Sequence, residues 1–145
     1  MWRILIADDH ESVRRSFRSL MESRQDLMVC DEAANGEEAI LKADQFKPDL
    51  IILDMNMPLL DGLSAAKEIR ERLPEIPILL LSMNDSRQMD RISRSAGAQG
   101  FICKQNGSKV LLEAVYVLLA GGTFFLNRSK SEQHGKFPSA PFHGK

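Results

Sequence analysis

The sequence predicts an α/β fold: a doubly wound, five-stranded parallel sheet in the order 2-1-3-4-5, covered by five helices. Two observations carry that prediction. Short apolar runs alternate with longer segments of helical period, the pattern of a parallel sheet with helices on both faces. Short connections and right-handed crossovers then reduce the candidate topologies to the doubly wound ones.

The elements follow in order along the chain. Strands are predicted at Arg3 to Ala7, Met28 to Ala33, Leu50 to Leu53, Ile78 to Leu81 and Gly100 to Cys103. Val13, Phe17, Leu20 and Met21 form the first helical stripe; Ala39, Ile40, Ala43 and Phe46 form the second, before Pro48 forbids continuation. Ala65, Ala66, Ile69 and Leu73 make a third, closed by Pro74 and Pro77. The fourth, about Ser86 to Ala96, is more polar than the others and is stopped by Gly97. Val110, Leu111, Ala114, Val115 and Leu118 line the last, which ends at Gly121 and Gly122. Five strands in this arrangement suit the flavodoxin-like order. The folded domain is expected over residues 1–122 and a flexible tail or linker remnant over 123–145, where Ser, Gly and Pro accumulate without period.

Composition excludes more than it selects. The chain has 145 residues, 43% of them hydrophobic, so one domain with a sizeable core is expected. A formal charge of -1, from 19 basic and 20 acidic residues, gives no global argument for nucleic acid or a membrane surface. Cys30 and Cys103 lack metal-ligand spacing, and each sits in an apolar run as a buried free thiol does. The start "MWRILIADD" is too short and too soon acidic for a secretory signal, and no apolar stretch is long enough to span a bilayer. A soluble, cytoplasmic protein is the expectation.

Ligands of doubly wound sheets bind beyond the carboxyl ends of the strands. The first strand ends at Asp8 and Asp9, the third at Asp54, the fourth at Ser82 and the fifth at Lys104. Taken singly, these could be helix caps, a turn residue and a solvated lysine. Taken together they gather three carboxylates, a hydroxyl and an ammonium at one rim, which independent caps have no reason to do. Like charges about 4 Å apart cost roughly 4 kcal/mol at an effective dielectric near 20, so the acids call for a cation. Oxygen ligands favour Mg²⁺, and His10 alone nearby argues against a dedicated zinc site. A metal-bound carboxylate opposite a lysine can receive a phosphoryl group, with Asp54 as the in-line nucleophile and Ser82 bonding a phosphoryl oxygen once it is present.

"ILIADDH", "DLIILDMNMPLLDG", "ILLLS" and "AGAQGFICK", in this order and spacing, resemble the receiver domains of two-component response regulators over essentially Arg3 to Gly122. The resemblance implies that Asp54 is the phospho-acceptor, and that Asp9, Asp54 and the Asn56 backbone carbonyl ligate Mg²⁺, with Asp8 acting through water. It implies Ser82 as the switch hydroxyl, Lys104 as the phosphate-pairing lysine and Phe101 as the switch aromatic, while Met57, Pro58, Asp61 and Gly62 match the loop after the acceptor. A histidine kinase is then the phosphodonor, the receiver catalyses transfer and hydrolysis on itself, and the face of the fourth helix, fifth strand and fifth helix is remodelled. That face is where an effector domain or a second copy would bind. Kinase specificity is expected on the first helix, around Ser12, Arg15 and Ser19.

"AGAQGFICKQ" and "LLAGGTFF" look most like the NarL/FixJ type, whose receivers feed a helix-turn-helix domain that these residues do not contain. The chain is then either the regulatory domain of a longer transcriptional regulator or a stand-alone receiver, and in both cases no direct nucleic-acid contact by this domain and none with a membrane is expected. Two positions depart from the family pattern: Gln105 stands where proline often follows the lysine, and Met83 where a small residue usually follows the serine. The bulk of Met83 is expected to slow phosphoryl exchange, the plainer alternative being that Met83, with Met55, Met57 and Met89 nearby, is adaptable packing. A flavodoxin proper is disfavoured, because Asp8 and Asp9 would repel a flavin phosphate. A phosphatase of the haloacid-dehalogenase type expects a second acid two residues after a nucleophile on strand 1, whereas Asn56 takes that offset and Asp54 lies on strand 3. The remaining alternative is a phosphorylation-independent interaction module of the same fold.

Overall fold

The computed structural model describes residues 1–83 and 87–125. Six parallel strands form one sheet: β1 (Trp2–Ala7), β2 (Leu27–Ala33), β3 (Leu50–Asp54), β4 (Ile78–Ser82), β5 (Gly100–Cys103) and β6 (Phe124–Phe125), in the order β2-β1-β3-β4-β5-β6. Five helices connect them: α1 (Glu11–Glu22), α2 (Gly36–Phe46), α3 (Gly62–Arg72), α4 (Arg87–Ser95) and α5 (Ser108–Leu119). The predicted order 2-1-3-4-5 is therefore present, extended at one edge by a strand that the sequence reading did not include.

Alternation along the strands divides the core between two faces. Leu5, Ala7, Ile51, Leu53, Ile78, Leu80 and Phe101 point to one, where Ala39 and Ala43 of α2, Ala65, Ala66 and Ile69 of α3, and Ala96 just beyond α4 cover them. Ile4, Ile6, Leu50, Ile52, Leu79, Leu81 and Ile102 point to the other, under Met21 of α1 and Leu111, Ala114, Val115 and Leu118 of α5. Every residue of β3 and β4 is buried, which is why those runs lack the alternation of a half-exposed strand.

Local chemistry sets several boundaries. The Asn35 side chain accepts the Glu38 amide at 2.8 Å and caps α2, while Asp61 accepts the Ser64 amide at 2.8 Å and caps α3. α4 is the polar helix that its sequence suggests; its buried residues are Asp90 and Ser93, and the Ser93 hydroxyl donates to the Met89 carbonyl. Ser86, the expected start of that helix, lies outside the described residues. The β1–β2 ladder shifts register between Ile4 and Leu5, leaving Cys30 as the extra residue of a bulge. Cys30 is partly buried, Cys103 is buried, and both are free.

Phe124 and Phe125, grouped with the tail by the sequence reading, pair with Gly100 and Phe101 and are buried. The Arg94 guanidinium of α4 stacks 3.9 Å from the centre of the Phe125 ring. Residues 126–145 lie outside the described residues.

Candidate functional site

Because the strands are parallel, their carboxyl ends share one edge of the sheet. Asp54 is the last residue of β3 and Ser82 the last of β4; Asp8 follows β1 and Lys104 follows β5 directly. The ladder aligns Asp54 with Leu81, one position before Ser82, and aligns Ser82 with Cys103, one before Lys104. Register alone therefore brings these side chains to one rim.

Their geometry is closely set. The Lys104 ammonium donates to Asp8 Oδ2 at 2.8 Å and lies 3.5 Å from Asp54 Oδ2, so one cation spans two acids from distant parts of the chain. Asp8 is fully buried, and Asp54 and Ser82 are nearly so. Asp9, more open, lies 3.1 Å from His10 Nδ1, which is also 3.3 Å from Asp8 Oδ1. The His10 amide donates to Asp8 Oδ1 at 2.9 Å and the Asn56 amide to Asp54 Oδ1 at 3.3 Å. His10 precedes α1 without a side-chain cap, so neither Asp8 nor Asp9 is occupied as the cap that the plainer reading allowed.

Burial pushes the Asp54 carboxyl above the usual carboxylate range; the charge of Asp8 adds to this, and Lys104 and the Asn56 amide oppose it. Burial works against the Lys104 ammonium, but the bond to Asp8 and the charges of Asp54 and Asp8 outweigh it and raise its pKa. The Asp54 carboxylate is thus poorly compensated by protein groups alone, and added positive charge at this rim would favour its ionised form.

The loop after β3 is held from two sides. The Gly62 amide donates to the Met55 carbonyl and the Gly36 amide to the Leu60 carbonyl, both at 2.9 Å. Leu59 has φ 66°, and the Leu60 amide donates back to the Pro58 carbonyl at 2.7 Å, a tight turn of the strained, positive-φ kind. The loop that carries Asn56 and Met57 is therefore anchored at the first residue of α2 and at the first of α3.

The acidic rim suits Mg²⁺: the carboxylates of Asp8 and Asp9, with that of Asp54 across Lys104 from Asp8, are hard oxygen groups of the kind this ion prefers. Asp8, Asp9 and His10 offer ligand atoms within 4.8 Å of one another. His10 adds a softer nitrogen to that cluster, which the sequence reading used only to argue against zinc; its place directly after Asp9 was the available signal.

The structure brings Asp8, Asp54 and Lys104 into direct ionic contact, sets Asp9 beside Asp8 and His10, and places Ser82 on the adjoining strand end. Phe101, 1% exposed, sits lower on β5 and away from solvent. Met83, 56% exposed, follows Ser82, and its carbonyl lies 3.5 Å from the Cys103 sulfur. Among the described residues every peptide bond is trans, that between Lys104 and Gln105 included. Sequence reasoning missed Arg14 and Glu32. The Arg14 guanidinium donates to the Asp8 carbonyl at 2.7 Å and to Glu32 at 2.9 Å, a contact between residues 18 positions apart that no local pattern announces.

Known proteins show the same organisation. Residues 4–116 match the family described as the response regulator receiver domain. The chain is 36% identical over 124 residues to the response regulator protein VraR of Staphylococcus aureus, covering 85% of this chain and 59% of that protein. It is 30% identical over 122 residues to the transcriptional regulatory protein DegU of Brevibacillus brevis, covering 84% and 52%. It therefore spans between half and three-fifths of the length of these curated relatives. The crystal structure of a LuxR-family two-component response regulator from Aurantimonas sp. SI85-9A1 superimposes with a TM-score of 0.83 at 29% identity, covering 92% of this chain and 94% of that one. With the acidic rim assembled on a matching fold and the family match running from β1 into α5, the chain belongs to the response regulator receiver domain family.

Proposed function

We propose that the chain is a phosphorylation-activated receiver in which Asp54 accepts a phosphoryl group from a histidine kinase. The observation that carries the reading is Lys104, whose ammonium lies between Asp8 and Asp54 at 2.8 and 3.5 Å at a buried rim. An Asp54 oxygen attacks phosphorus, the P–O bond forms, and the P–N bond of the donor phosphohistidine breaks, its electron pair returning to the imidazole. Asp9, Asp54 and the Asn56 carbonyl would hold Mg²⁺, with Asp8 acting through water, and the ion would supply positive charge beside the phosphoryl oxygens. Lys104 turns from Asp8 toward the new group, and the Ser82 hydroxyl donates to a phosphoryl oxygen. Attack of water on phosphorus later returns Asp54 and inorganic phosphate.

The acyl phosphate exchanges a charge of about -1 for about -2 at a buried position, enough to bias a two-state element. Ser82 drawn toward that charge leaves room for Phe101 to turn, and the face of α4, β5 and α5 is altered. Through that face the receiver acts on an effector domain or a second copy, as the regulatory part of a transcriptional regulator. A relative named a transcriptional regulatory protein supports this reading. The domain itself is proposed to contact neither nucleic acid nor membrane and to work in the cytoplasm. Among the described residues no helix is long and apolar enough to cross a bilayer. Met83, exposed next to Ser82, adds bulk that slows phosphoryl exchange.

Intact-mass measurement after treatment with acetyl phosphate and Mg²⁺ tests the reading. Wild type is expected to gain one phosphoryl group, and Asp54→Asn none. A wild type that gains nothing would leave a phosphorylation-independent interaction module as the better description.

A further inference from the structure

The turn that carries Asp8, Asp9 and His10 joins β1 to α1, and the Asp8 side chain is held by the His10 amide and the Lys104 ammonium. His10 precedes α1 without a side-chain cap, and the Asp8 amide is tied to the Ala33 carbonyl at 3.0 Å, on the β2 side. On the other side the Asp8 carbonyl accepts from Arg14 Nη1 at 2.7 Å. Arg14 lies one turn into α1 and is largely buried, with 17% of its side chain exposed. Its Nε donates to Glu32 Oε1 at 2.9 Å, while the second carboxylate oxygen of Glu32 accepts from Arg18 Nε at 2.7 Å. The Glu32 carbonyl accepts from Lys42 of α2. Glu32 is therefore fixed from α1 and from α2, and it presents Arg14 in one orientation. Burial works against the Glu32 carboxylate, but the two arginines outweigh it and hold its pKa low, so the anchor stays charged at neutral pH.

We propose that Arg14, aimed by Glu32, is a positioning residue for the acidic pair, setting the main-chain direction at Asp8 and so the placement of Asp8 and Asp9 for a divalent cation. The proposal rests on the magnesium-dependent reading above. The peptide carbonyl of Asp8 is rigidly joined to the amide of Asp9; pulling on that oxygen fixes the plane from which the Asp9 side chain departs. Metal ligands lose affinity when the groups that orient them are removed, typically by a factor of about 10 to 100. A lysine cannot replace the guanidinium, because one ammonium on a shorter stem does not span Glu32 and the Asp8 carbonyl in a fixed fork.

Arg18 supplies the discriminating control. It shares Glu32 with Arg14 and ties the same helix to the same strand, yet no bond joins it to Asp8. A merely structural role predicts similar consequences for both substitutions. In the full chain, Mg²⁺ binding by calorimetry, the Mg²⁺ half-saturation and maximum rate of phosphorylation by acetyl phosphate, and the thermal midpoint are compared for wild type, Arg14→Ala, Arg14→Lys and Arg18→Ala. Arg14→Ala is expected to weaken Mg²⁺ binding by about tenfold and to raise the half-saturation in proportion, with excess Mg²⁺ restoring most of the maximum rate. Arg14→Lys should recover little of this, and Arg18→Ala should stay within about twofold of wild type while its midpoint falls, as expected for a half-exposed ion pair. Equal Mg²⁺ affinities in Arg14→Ala and wild type, or equal losses in Arg14→Ala and Arg18→Ala, would overturn the proposal. Should Arg14→Ala fail to fold, Arg14→Lys and Arg18→Ala decide between the same outcomes. No Mg²⁺ binding by wild type would instead overturn the reading beneath it.

Discussion

Gly62 opens α3 in a place where a side chain has no room. A Cβ built there would lie 2.1 Å from the Asp54 carbonyl oxygen and 2.8 Å from both the Asp54 carbonyl carbon and the Met55 Cα. Real contacts of this kind essentially never fall below 3.0 Å, and the obstacle is main chain, which cannot swing aside as a side-chain tip does. Gly62→Ala therefore forces a displacement of roughly 1 Å, an overpacking that costs about 1 to 3 kcal/mol. The same displacement strains the bond from the Gly62 amide to the Met55 carbonyl, worth about 1 kcal/mol. The better helix propensity of alanine returns at most about 1 kcal/mol, less at a first helical position, so the net loss should be about 1 to 3 kcal/mol. Urea denaturation reads the stability, and phosphorylation by acetyl phosphate reads the proposed acceptor role, because the strained atoms belong to Asp54 itself. Stability within about 0.5 kcal/mol of wild type would refute the reasoning. A stability loss with an unchanged phosphorylation rate would show that α3, not Asp54, moves away.

Two further expectations follow from burial. Burial first, and then Asp8, raise the Asp54 carboxyl above its ordinary 3.8, so its contribution to stability is full below that value and is lost as pH rises through the folded-state pKa. Asp54→Asn should therefore unfold at a higher urea concentration than wild type near about pH 7, with the advantage disappearing below pH 3.8; an advantage independent of pH would contradict this. Phe125→Ala removes a buried ring from β6 and the platform under Arg94, and should cost about 3 kcal/mol in the same assay; a loss below about 1 kcal/mol would mean that β6 adds little to the fold.

Most of this architecture was legible in the sequence, for an identifiable reason. Strands buried on both faces must be apolar throughout, so Leu50 to Leu53 and Ile78 to Leu81 announce themselves, and Asp54 and Ser82 stand out by ending the runs; both prove to be the last residues of their strands. Apolar periodicity could not reveal β6, because two phenylalanines after a pair of glycines form no period. Nor could it show the bulge at Cys30, which depends on how two strands align rather than on either alone. The acid pair and lysine were found from topology, since strand ends in a doubly wound sheet converge. Arg14 and Glu32 were not, because their meeting depends on the angle at which α1 crosses β2, a property of packed helices and not of spacing.

The short sixth strand gives this molecule something like a latch. Phe125 lies beside Phe101 in the ladder and beneath Arg94 of α4, so one ring is gripped from the sheet and from the helix together. Two paired residues are little to undo, and a lone short strand has scant stability of its own. Any rearrangement that rotates Phe101 or shifts α4 must therefore loosen or re-seat this short strand at the edge of the sheet.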